Sequence, residues 1–170
     1  HKTANGEQTF EWNAKNVKAL PSEQQLPPAW IYDGGVDYFI GSANDYWKSV
    51  SDAMLAHSHN STKAADLAKQ LTKGKSKLDA VKAIRDFIAQ NIRPAGPSFT
   101  ELPLRELSDA DTTLTDGYGH AADRAILFYA MLSAAGFQPE FVMASGLPAV
   151  SEITKVADSL PLPDDFQTPL

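Results

Sequence analysis

Between Gly119 and Gly136 runs a stretch, residues 121–135, that is apolar almost all the way round a helix. A surface helix keeps a polar face, and one without such a face belongs in a core. The rest of the chain must therefore fold so as to cover this helix on most of its sides. Gly136 supplies its C-terminal stop. Upstream, Gly117-Tyr118-Gly119-His120 is a polar, glycine-containing loop that enters the helix N-terminus directly. Such a junction presents unpaired backbone N–H groups and the positive end of the helix dipole. Those features suit a thiolate or a bound anion, and Asp123 in the first turn suits the dipole under either use. On spacing alone, a well-capped core helix is the plainer account of the same residues.

The remaining segments read as partners for that helix. Ser42 and Asp45 open a helix over 43–57 that carries Tyr46, Trp47, Val50 and Met54. Ser61 or Thr62 starts a short second one with Leu67, Ala68 and Leu71, ended by Gly74. Ser76 with Asp79 resembles a capping box before a third, whose Leu78, Val81, Ile84, Phe87, Ile88 and Ile92 form one stripe. Pro94 and Pro97 stop it, and residues 94–119 read as a long loop, a length that tends to carry function. Residues 137–145, with Phe141, Val142 and Met143, read as a buried strand, and 146–170 as loop. At the start, Thr9 to Trp12 suits one short strand, Pro21, Pro27 and Pro28 enforce extended or turn backbone, and Trp30 to Ile40 reads as strand-like or irregular. The expected division is 1–28 as a linker or last strand of a preceding domain and 29–170 as the main domain.

Composition matters here for what it excludes. The chain has no cysteine, which removes disulfides, thiolate-held zinc and any cysteine nucleophile. A net charge of −6 with scattered Lys and Arg argues against nucleic acid; the run Lys73, Lys75, Lys77 reads as a solvated helix–helix connection. No apolar run is long enough for a transmembrane segment. The first residue is His1 rather than Met, so the expectation is a mature or excised piece of a longer protein. His57-Ser58-His59 offers two imidazoles, yet no third ligand accompanies them, and a solvated helix end is favoured over a metal site. Asp109, Asp111, Asp116 and Asp123 match no calcium loop and read as turn and cap residues. Tyr118, Trp30, Trp47 and Phe99 are candidates for a cleft, with core roles favoured. No metal and no cofactor is expected.

Gly119-His120-Ala121-Ala122-Asp123-Arg124-Ala125, closed downstream by Ala134-Ala135-Gly136-Phe137, resembles the motif of the transglutaminase-like family, in particular a bacterial branch that follows a domain of unknown function. Phe87-Ile88-Ala89-Gln90-Asn91-Ile92-Arg93 resembles that family's lead-in helix, and Asn16-Val17-Lys18-Ala19-Leu20-Pro21-Ser22-Glu23 the tail of the companion domain. The resemblance implies an α+β, papain-like fold in which the buried helix packs on a small antiparallel sheet. In active members it implies a Cys-His-Asp triad, with the thiolate at the helix N-terminus, His moving the proton and Asp holding its tautomer.

This chain departs from that pattern at the nucleophile, where Ala121 stands in the cysteine position. Neither Ser nor Thr fills it, so a hydroxyl variant is excluded as well. No histidine follows His120, and Phe166-Gln167-Thr168 falls where active relatives carry a Phe, a small polar residue and the base, which places Thr168 in the base position. Tyr118, Gly119, His120 and Asp123 remain as binding candidates around Ala121. His120 in particular is a ligand contact or, as the favoured reading, a surface cap. The expectation is a catalytically inactive domain that binds or scaffolds protein or peptide segments, adjacent domains included, in a larger periplasmic or secreted protein. The alternative is an active cysteine amidase, protease or transglutaminase represented by a truncated Cys-to-Ala form. A third reading, a structural spacer, requires no ligand-sized cleft beside residue 121.

Overall fold

The computed structural model describes residues 2–4, 7–19, 36, 38–159 and 161–170. The chain divides into two compact units, His1–Val36 and Asp37–Leu170. The expected boundary at 28/29, the prolines at 21, 27 and 28, Trp30 and the end of the companion-domain tail lie outside the described residues.

In the first unit, β1 (Lys2–Ala4) and β2 (Glu7–Thr9) form an antiparallel pair, with Lys2 opposite Thr9 and Ala4 opposite Glu7. The strand expected over Thr9 to Trp12 thus lies earlier in the chain, and Phe10 and Trp12 stack on each other beyond it at 5.9 Å. Two aromatics two residues apart share a face, so stacking holds them without a ladder.

The second unit is built around one helix. Three helices come first: α1 (Ala43–His59), α2 (Thr62–Thr72) and α3 (Lys77–Asn91). Ser42 caps α1 by accepting from the Asp45 N–H, and Ser76 caps α3 by accepting from the Asp79 N–H. The second helix is capped differently. Ser61 makes no cap hydrogen bond; instead the Asp111 carboxylate accepts from the backbone N–H groups of Lys63 and Ala64, at 3.0 and 2.8 Å.

After β3 (Arg93–Pro94), the region expected as a long loop is largely folded. It holds two 3-10 turns, Phe99–Glu101 and Leu104–Glu106, and a helix α4 (Ala110–Asp116), and it buries Phe99, Leu107, Ala110 and Thr113. Its few apolar residues suffice because each faces the core. Next come β4 (Tyr118–Gly119) and α5 (Ala121–Ala134), the predicted core helix. It packs on all four preceding helices, and Ile126, Leu127 and Met131 have no exposed surface. Each such side chain contributes roughly 1.5–3 kcal/mol by burial. Gly136 takes φ +86°, the left-handed backbone that ends helices and that glycine adopts without strain.

The expected buried strand over 137–145 is reduced to β5 (Met143–Ala144), which is half-buried. Pro139 and Glu140 interrupt the apolar run, and Phe141 instead stacks flat on Tyr129 of α5 at 4.4 Å. The final segment, expected as loop, contains α6 (Ser151–Ser159) and β6 (Thr168–Pro169). Ile153 and Ala157, one helical turn apart, are the buried face of α6. The last strand pairs antiparallel with β5, Met143 opposite Pro169, and packs against α5. The architecture is α+β: helices around α5, with a small antiparallel sheet against it. Among the described residues no helix is long and apolar enough to cross a membrane.

Candidate functional site

The junction ahead of α5 is held from three sides. The parallel pair β3–β4 sets Arg93 opposite Tyr118 and Pro94 opposite Gly119, with Arg93 donating to the Gly117 carbonyl and Ala95 to that of Gly119. This fixes the exit of α3 beside the entry to α5. Gly119 is buried, and a Cβ there would lie 2.9 Å from Thr113 Cγ2 and 3.0 Å from the Asp123 Cβ. Only a residue without a side chain fits that approach.

His120 is the N-cap of α5. Its Nδ1 accepts from the Ala122 N–H at 3.2 Å, while the Asp123 carboxylate accepts from the His120 N–H at 2.9 Å. The second Asp123 oxygen accepts from the Ser108 N–H at 2.8 Å. Both side chains are buried, at 4% and 5% exposure, so His120 caps the helix from the interior and not from the surface as expected, because Phe99 packs beside its ring. Because His120 Nδ1 accepts, its proton sits on Nε2, and that buried atom has no partner. The ring packs beside Phe99, centroids 6.3 Å apart, and below Gly96. Gly119, His120 and Asp123 thus form a buried cap behind the helix end, while Tyr118 is half-exposed.

Ala121, the first residue of α5, points the other way and is exposed. It lines a cleft of about 310 Å³ together with Arg85, Ile88, Ala89, Arg124, Phe128 and the last strand. Thr168 of β6 lines the same cleft, so the two positions named from sequence as nucleophile and base share one concavity. The arginines of this cleft escaped the sequence reading. Arg124 stands inside the quoted motif, where its type gave the only signal, and Arg85 is brought in by the packing of α3 on α5.

The other candidates are spent elsewhere. His57 Nδ1 lies 2.7 Å from Asp109 Oδ1, and Asn60 donates to the second oxygen of Asp109 at 2.7 Å. The Asn60 bond, with a smaller share from His57, holds the Asp109 carboxyl below the usual carboxylate range despite partial burial. Asp111 caps α2, and Asp116 closes α4. Phe99 is core, and Trp47 lines a separate apolar cavity of about 300 Å³ with Met54, Phe141 and Phe166, its indole donating to the Pro161 carbonyl.

Helix-rich α+β architecture, a buried helix opening at a cleft and a strand across it define a papain-like domain. The sequence matches the transglutaminase-like superfamily over residues 65–153, just over half of the chain, and the chain belongs to that superfamily. A solved structure from Parabacteroides distasonis, described as a candidate protease, is similar at 26% identity with a TM-score of 0.48. The match covers 59% of this chain and 21% of that one, so the chain spans about a fifth of its length. No curated protein matches.

Proposed function

We propose that this domain binds an extended protein or peptide segment in the α5 cleft and does not cleave or transamidate it, serving as a non-catalytic module of a larger exported protein. The exposed methyl of Ala121 carries this reading. Acyl transfer in this superfamily's manner needs a nucleophile at the helix N-terminus. A methyl group cannot ionise, and the whole sequence holds no cysteine to substitute for it. Thr168 has a hydroxyl, which does not act as a general base near neutral pH. What persists is the concavity, wide enough for side chains and lined by Ile88, Ala125 and Phe128. A structural spacer has no need of such a cleft.

The test is titration of this chain with extended glutamine-containing peptides and with cell-wall fragments, followed by calorimetry and by mass spectrometry of the recovered ligand. Saturable binding of peptide without product is expected. Ala121→Trp, which fills the cleft from an exposed position, abolishes that binding if the site is correct. Binding that survives Ala121→Trp, or none at all, overturns the reading.

A further inference from the structure

The cleft gathers arginine side chains in a chain that is acidic overall. Two guanidinium groups line it, those of Arg85 and Arg124, and none of the lining side chains is acidic. Their states differ. Arg85 is largely exposed and already pairs with Asp86 at 2.6 Å. Arg124 is partly buried, its Nε is fully shielded and has no hydrogen-bond partner, and among the described residues no carboxylate forms an ion pair with it. That Nε–H is closed to a ligand as it is to water, so a ligand meets the two terminal Nη groups, whose charge no carboxylate of the described residues pairs with. The fork of Arg124 is held one turn inside the helix that opens the cleft, where the positive helix end adds to its field.

We infer that the occupant of this cleft is an acidic segment, presenting an Asp or Glu side chain to Arg124 beside an apolar residue that packs on Ile88 and Phe128. The inference rests on the peptide-binding reading above and specifies its ligand. A planar carboxylate matches the guanidinium fork with two parallel hydrogen bonds, whereas a glutamine amide offers a single acceptor and one mismatched donor. The preference therefore runs opposite to that of an enzyme acting on glutamine amides, although the shapes are the same.

The probes are fluorescein-labelled peptides of sequence Ala-Ala-Glu-Leu-Ala-Ala, amidated at the C-terminus, and the twin with Gln for Glu, read by anisotropy on the unchanged chain. The Glu peptide is expected to bind about ten-fold tighter than its twin, and to weaken as salt rises while the twin does not. Arg124→Gln should bring the two within about two-fold, Arg124→Lys should restore part of the gap, and Arg85→Gln should change it less, since Arg85 is already paired. Circular dichroism checks that each variant is folded, and the comparison on the unchanged chain stands without any variant. Equal binding of the two peptides, or a Glu preference that survives in folded Arg124→Gln, overturns the inference while leaving peptide binding intact. A third peptide, with Gln and a free C-terminal carboxylate, separates side-chain from chain-end recognition; binding equal to that of the Glu peptide overturns the side-chain assignment. If no peptide binds, both readings fall together.

Discussion

Asp123 satisfies two backbone donors at once, the N–H of His120 at the helix cap and that of Ser108 on the segment before α4. It lies at 5% exposure, so removing its side chain leaves donors shielded from water. Asp123→Ala is expected to destabilise the chain by roughly 2–4 kcal/mol in urea melts, well above the cost of losing an exposed cap. A change below about 0.5 kcal/mol would show that the cap is ornamental. The sequence motif announced this residue as favourable at a helix start, but not its second partner. That partner is fifteen residues away in the chain and comes close only once the loop before α4 has folded. His120 was legible as a cap for the same local reason but was expected at the surface, whereas its burial and the partnerless Nε2 depend on Phe99 and Gly96 closing over the ring.

Among the elements, what could be read depended on length. The long helices announce themselves through many turns of apolar periodicity, and α5 through the lack of any polar face. Two-residue strands and the seven-residue α4 carry too few residues for a period, and their ends are set by partners distant in sequence. Capping of α2 illustrates the point. Ser61 has the right chemistry in the right place, yet Asp111 does the capping from another helix. Asp111→Ala is accordingly expected to cost roughly 1–2 kcal/mol and Ser61→Ala less than about 0.5 kcal/mol by thermal or urea unfolding; the reverse order would contradict this geometry. A pH dependence belongs at the same scale. The bond from Asn60 lowers the folded-state value of Asp109 below its ordinary 3.8, so the unfolded chain takes up that proton more readily. Stability from this group is complete above the ordinary value and is lost as pH falls through the depressed one. Melting curves from about pH 2 to about pH 6 should show an acid limb that flattens in Asp109→Asn, and an unchanged limb would remove Asp109 from the account.

Taken as a whole, the second unit is a transglutaminase-like domain whose core helix opens on an alanine. Ala121 and Thr168 meet at one cleft because α5 and β6 pack together, and no spacing rule connects residues 47 positions apart. The motif made Ala121 legible; the arginines beside it became visible only when α3 was laid against α5. The most direct test is ammonia release from a glutamine peptide with an added primary amine, measured for the unchanged chain and for Ala121→Cys. Neither is expected to turn over, although the introduced thiol, at an exposed position, should react with iodoacetamide. Multiple turnovers by the unchanged chain would contradict the account outright, and turnover by Ala121→Cys would show that a working base and acid survive around the missing sulfur.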